Sequence, residues 1–288
     1  MTALNAHTHT GTSPEIRAIE HKASGSSFYT AMRLMPKAER EAMFAIYAFC
    51  RAVDDIADDE HGGRAERRAE LGRWRADIDS LYAGSAPPRT RFLTEALTHY
   101  HLRKDDFLTV IDGMEMDVHE DIRAPDLATL DLYCDRVASA VGRLSVRVFG
   151  MDEEPGKALA HHLGRALQLT NILRDLDEDA SLGRLYLPRE LLDEAGIASR
   201  EPSEVIGNPA VDGACRGVAK IAWQHYGEAN RILRSHPAGR LRAPRLMSEV
   251  YSRILAKMES LGWEPPRQRA RINKGALLLI LLRHGLAG

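Results

Sequence analysis

Helix-breaking residues in this chain gather into a few short stretches and leave long intervals free of them. Prolines and glycines cluster at Pro87-Pro88, Glu154-Pro155-Gly156, Gly183 to Pro188, Pro202 to Pro209, Pro237 to Pro244 and Pro265-Pro266. Between Lys37 and Asp59 the apolar residues Met43, Ala45, Ile46, Phe49, Cys50, Val53 and Ala57 recur at threes and fours, as they do on a buried helical stripe. Similar patterns predict helices over Arg64–Tyr82, Arg89–Tyr100, Asp105–Asp117, Leu127–Phe149, Pro155–Glu178, Arg189–Ala195, Asp212–Leu233 and Arg245–Leu261. No stretch alternates as a half-buried strand does. With no repeat at fixed period and no linker of shifted composition, one all-α domain is the economical expectation for 288 residues.

Charge and cysteine usage exclude several function classes. A net charge of −2 lacks the clustered basic excess of a nucleic-acid binder, so no nucleic-acid partner is expected. Cys50, Cys134 and Cys215 are odd in number and have no metal-type spacing, which predicts neither a disulfide framework nor a thiolate zinc site. A reducing cytoplasm fits. The twelve histidines show no HExxH or comparable spacing, and adjacent His161 and His162 are expected on different sides of a helix, so no zinc site is predicted. The first residues, MTALNAHTHTGTSPE, resemble neither a signal nor a transit peptide; residues 1–20 are expected to be a flexible tail, with the domain proper over 21–288. Ala276 to Leu282 falls well short of the ~20 apolar residues a spanning helix needs. Any membrane contact is expected to be peripheral, on the inner face, with this segment as the suspect.

Two acidic constellations stand out. Arg51-Ala-Val-Asp54-Asp55-Ile-Ala-Asp58-Asp59 places carboxylates at i and i+4 twice on an otherwise apolar helix. Desolvating them beside Val53, Ile56 and Ala57 is costly unless a cation or hydrogen bonds compensate, which leaves either a metal site or a solvated helix end. The helix dipole disfavours acids at a C-terminus, which weakens the second reading. Further on, Gln168, Asn171, Asp175 and Asp179 lie at offsets of 0, 3, 7 and 11, predicting one continuous helix face made only of oxygen ligands. Magnesium prefers such oxygens together with phosphate, so two facing helices carrying these rows could clamp a diphosphate through bridging metal. Arg51, Arg174 and Arg184 lie near both segments and could bind phosphate, although each taken singly is more readily an ordinary surface partner for an acid. For a third spaced pair, Asp117 and Asp121, a functional and a solvated reading weigh the same.

These blocks, taken with Ser26-Ser27-Phe28-Tyr29, Tyr47-Ala-Phe-Cys-Arg51, Tyr133-Cys-Asp-Arg-Val137-Ala-Ser-Ala-Val-Gly142 and Gly183-Arg184-Leu-Tyr186-Leu-Pro188, resemble the squalene and phytoene synthase family. The likeness runs from Ser26 to about Leu282. It implies a single-domain isoprenoid synthase helical bundle with a central cavity, in which Asp54, Asp58, Asp175 and Asp179 hold Mg2+, or Mn2+ as a substitute, with Asn171 and Gln168 assisting. Arg51, Arg174 and Tyr186 resemble diphosphate-site residues. Tyr133 matches the hydroxyl placed beside the reacting centre, and Ser27, Phe28, Tyr47, Val137 and Ala138 match the substrate pocket.

Within the family the wording looks most like the bacterial presqualene diphosphate synthases of hopanoid pathways. That resemblance implies head-to-head condensation of two farnesyl diphosphates, with downstream hopanoid-pathway enzymes as partners. The alternatives are a phytoene synthase acting on geranylgeranyl diphosphate, a full squalene synthase, and a catalytically silent isoprenoid scaffold. Two departures matter. Ser24-Gly25-Ser26 stands where some members carry His or Lys, and the spanning helix of the NADPH-using eukaryotic squalene synthases has no counterpart. NADPH is not expected as a cofactor.

Overall fold

The computed structural model describes Met32 and residues 35–59, 63–119 and 122–271; the expected tail over residues 1–20, Ser27, Phe28, Asp121 and the 276–282 segment lie outside them. The described residues are helical, and their one β-type contact is an isolated parallel bridge between Arg123 and Leu185. Helices α1 (Lys37–Ala57), α2 (Arg64–Tyr82), α3 (Thr94–Tyr100) and α4 (Lys104–His119) form the first half. Then come α5 (Leu127–Cys134), α6 (Ala140–Val148), α7 (Glu153–Arg174) and α8 (Leu176–Ser181). The described residues end with α9 (Arg189–Glu194), α10 (Pro202–Gly207), α11 (Val211–Arg234) and α12 (Arg242–Leu261).

The spacing rule explains the core. The expected stripe of α1 buries Met43, Ala45, Ile46, Phe49, Val53 and Ala57, and Phe49 meets Trp74 of α2 and Phe107 of α4 edge-on at 5.6 and 5.0 Å. Helix α7 is the central column, packed against α5, α6, α11 and α12. Its approach to the residues between α5 and α6 is set by Gly164, where a Cβ would stand 2.7 Å from the Ser139 Cα. Only a residue without a side chain lets the two backbones come this close.

Four local readings are corrected. The interval Leu127–Phe149 is not one regular helix: Asp135–Ser139 wind as a wider π turn between α5 and α6. That turn is held by Arg165 of α7, whose buried guanidinium reaches Asp131 at 2.6 and 2.9 Å, Asp135 at 3.1 Å and the Ser139 hydroxyl at 3.0 Å. The row from Gln168 to Asp179 is not one continuous helix either. Asp175, at φ −107° and ψ 18°, leaves the helical basin between α7 and α8. Aspartate competes with the backbone for local partners, and here it takes the guanidinium of the preceding residue. The i→i−4 bonds from Asp175 N to Asn171 O and from Asp179 N to Asp175 O, both 2.9 Å, persist on either side of the bend. The breaker-rich Pro202–Pro209 stretch contains α10, because Pro202 sits at its first turn, where no amide hydrogen is needed. Finally, His161 and His162 do not diverge: the fold brings both beside His225 of α11. The three cysteines are unpaired, as their spacing predicts.

Candidate active site

The last turns of α1 carry the first acid row. Half-buried Asp54 accepts from Arg51 Nη1 at 2.6 Å, while the same guanidinium reaches exposed Asp55 at 2.7 Å. Burial beside Val53 and Ala57, reinforced by the charge of Asp58 and only partly offset by Arg51, pushes the Asp54 carboxyl up to about 6. Asp58 accepts from Arg184 Nη1 at 2.7 Å, and Arg184 Nη2 also donates to the Ala57 carbonyl at 3.2 Å. A guanidinium at the negative end of α1 thus compensates both the helix dipole and the carboxylates stacked there.

The second row straddles the bend after α7. Arg174 grips Asp175 in a two-pronged fork at 2.9 and 2.6 Å, and Arg269 reaches the same carboxylate at 2.7 Å. Burial first, and the charge of Asp175 next, push the Asp179 carboxyl up to about 7, with Arg184 opposing them. Asn171 Oδ1 is buried with no hydrogen-bond partner. A buried amide oxygen left unpaired costs about 1–3 kcal/mol, so it marks a position where a partner is wanting. Asp54, Asp58, Asn171, Asp175 and Asp179 therefore present only hard oxygen donors, two of them carboxyls disfavoured as anions and one an orphaned carbonyl. This donor set fits a magnesium-type dication.

Between the rows lies a feature for which the sequence favoured neither reading. Asp117 of α4 is buried; its Oδ1 accepts from the Tyr186 hydroxyl at 2.7 Å and its Oδ2 from the Tyr133 hydroxyl at 3.0 Å. The two phenol rings stack at 4.9 Å, with their oxygens 3.2 Å apart. Burial pushes Asp117 up to about 6 despite Arg184 and both hydroxyls, and pushes both phenols well above their usual range. The charge of Asp117 is felt at Asp54 and at Asp179, so this buried cluster couples to both rows. Its signal was the position of Asp117 seven residues after Val110 and three after Met114, on a largely apolar stripe that it shares with one other buried acid, Asp106.

A cavity of about 430 Å³ opens beside the rows. Its walls are apolar, with Met43, Val137, Ala138, Leu163 and Leu167 among them, and Tyr47, Arg51, Gln168, Asn171 and Arg174 supply its polar groups. Of the residues expected to bind substrate, Tyr47, Arg51, Val137, Ala138, Gln168 and Arg174 line it, whereas Tyr186 sits in the buried cluster with Tyr133, the expected catalytic hydroxyl. Arg51, Arg174 and Arg184 are all paired with acids. Both weighed roles for them survive, because a paired guanidinium next to a cavity can be shared with an incoming phosphate.

The squalene/phytoene synthase family model matches residues 21–276. A presqualene diphosphate synthase of Zymomonas mobilis is 56% identical over 261 residues, covering 91% of this chain and 89% of that protein. A namesake from Rhodopseudomonas palustris is 51% identical, covering 95% and 98% respectively. Phytoene synthases match at 32–37% identity. Among solved structures, squalene synthase HpnC from Alicyclobacillus acidocaldarius superposes with a TM-score of 0.75 at 28% identity, over 88% of this chain and 98% of that one. Two acid rows, an apolar cavity beside them and a family match spanning nearly the whole chain lead to one conclusion: the chain belongs to the squalene/phytoene synthase family.

Proposed function

We propose that this chain is a presqualene diphosphate synthase, a prenyltransferase that condenses two farnesyl diphosphates head to head. The observation that carries the reading is the pair of acid rows, with the unpaired Asn171 oxygen, set beside an apolar cavity. Identities above 50% to presqualene diphosphate synthases, against 32–37% to phytoene synthases, support this product over its twenty-carbon counterpart.

Magnesium bound by Asp54, Asp58, Asn171, Asp175 and Asp179 would neutralise charge on the departing diphosphate. Arg51, Arg174 and Arg184 orient the diphosphates by charge-assisted hydrogen bonds. When the allylic C–O bond of one farnesyl diphosphate breaks, its electron pair leaves with the diphosphate. The 2,3 alkene of the second substrate supplies electrons to the resulting carbocation. Loss of a proton then closes the cyclopropane, and the Tyr133–Asp117–Tyr186 cluster and the departed diphosphate are the groups able to receive it. The apolar walls exclude water, which would otherwise trap the cation as an alcohol.

Labelled farnesyl diphosphate with Mg2+ should give presqualene diphosphate, and added NADPH should not carry it on to squalene. NADPH-dependent squalene formation, or a preference for geranylgeranyl diphosphate, would overturn the product assignment and leave the prenyltransferase standing. Among the described residues no helix is long and apolar enough to cross a membrane. Any contact with the membrane that receives this greasy product is peripheral, so enzyme found there should leave on high-salt and carbonate washing.

A further inference from the structure

We propose that His161 and His162 of α7 and His225 of α11 form a binding site for one borderline transition-metal dication such as Zn2+, outside the reaction cavity. Their ligating atoms all lie within 4.8 Å of one another. The Nδ1 atoms of His162 and His225 are 3.0 Å apart, and the His161 ring stands edge-on to His162 with centroids at 4.7 Å. None of the three lines the cavity.

The geometry is close to what such an ion requires. Tetrahedral bonds of ~2.0–2.1 Å place two ligating nitrogens about 3.3 Å apart, so the His162–His225 pair needs to open by only a few tenths of an ångström. His161 is exposed, and its ring can turn inward as the third ligand, which leaves a fourth position for water. A hydrogen bond accounts for the His162–His225 contact, but not for a third imidazole gathered against both.

The electrostatics agree. Burial is the leading cause that lowers the proton affinity of all three rings, and it holds His225 down to about 4. Burial thus acts against a charged ring at each of the three positions. The charges facing them are Arg165, Asp131 and Asp135 beside His161, and Glu228 and Arg231 beside His162. Arg165 is taken by Asp131 and Asp135, Asp135 also by Arg143, and Arg231 by Glu228, so the cations facing the rings are each held by an acid. Imidazole selects zinc, copper or nickel, whereas the carboxylate rows suit magnesium, so donor chemistry sorts the two metals between the two sites. A metal here would tie α7, which carries Gln168, Asn171 and Arg174, to α11 across 63 residues.

The test is a calorimetric titration of the chelator-stripped full chain with Zn2+ alone, in excess Mg2+, read together with the shift in Tm. Wild type should bind one zinc, with a Tm that rises with free zinc. His162→Ala and His225→Ala should each weaken binding by at least about 10–100-fold, the loss already typical for removing an outer-shell partner of a metal site. His161→Ala should also weaken it, and Asp175→Ala should leave it unchanged. Equal affinity in His225→Ala or in His161→Ala overturns the three-histidine assignment, as does loss of zinc in Asp175→Ala. Should a variant fail to fold, Cu2+ bound to wild type provides the second measurement. Nitrogen couplings in its EPR spectrum are the expected result, and an all-oxygen signal overturns the site.

Discussion

Asp54→Ala or Asp175→Ala should reduce turnover by at least about 10³-fold while the far-UV circular dichroism stays that of a helical protein. Each substitution removes an oxygen donor from a half-buried position and no part of the apolar core. Retention of most of the activity at saturating Mg2+ would refute the ligand assignment. The same acids set an expectation for pH. Asp54, Asp117 and Asp179 bind their protons more tightly folded than unfolded, with folded values of about 6, 6 and 7 against an unfolded value near 3.9. Their contribution to stability is therefore full below about pH 4 and is lost as the pH rises through 6 to 7. Magnesium should restore what is lost, so the Tm gain on adding it should be larger at pH 8 than at pH 5. An equal gain at both would show that Asp54 and Asp179 do not meet the ion.

Tyr133→Phe should lower kcat by about 10²–10⁴-fold with little change in KM, because the ring keeps its place while the hydroxyl that can take or relay a proton is gone. The buried stack with Tyr186 depends on ring shape, and one Asp117 oxygen would keep its Tyr186 bond. The other oxygen would lose its donor, at about 1–3 kcal/mol of stability, so Tm is to be measured alongside. A Tyr133→Phe enzyme with wild-type kcat would remove the cluster from the mechanism. A matched rise in KM instead would make Tyr133 a binding residue.

The residues legible in the sequence were those whose roles rest on helical spacing. Met43 to Ala57 announced the buried face of α1, and Asp54 with Asp58 announced a row of acids on it. What spacing cannot carry was lost. The bend at Asp175 depends on a guanidinium fork that no periodicity encodes. Arg184 reaches Asp58 across 126 residues, and Asp117 meets Tyr133 and Tyr186 only after three separate segments pack. Asp117 did carry a local mark, an acid on a largely apolar stripe, but buried Asp106 on the same helix carries that mark too. The histidines mislead for the opposite reason. Neighbours on a helix diverge by about 100°, yet a third ring from another helix draws them together.

The lone bridge between Arg123 and Leu185 has a consequence for how this enzyme can be altered. Leu185 donates to Ile122 O at 2.7 Å and accepts from Ala124 N at 2.8 Å, which pins a short extended segment. Arg184 and Tyr186 flank it two positions apart, and two positions is the repeat of extended backbone. One guanidinium reaches Asp58 and one phenol reaches Asp117, so a single peptide stretch works as a ruler between the acid row proposed to hold the metal and the phenol cluster proposed to take the proton. Sliding that segment by one residue would turn both side chains away at once. Under the proposed function, leaving-group departure and ring closure are thus mechanically yoked, and the distance for one cannot be retuned without moving the other.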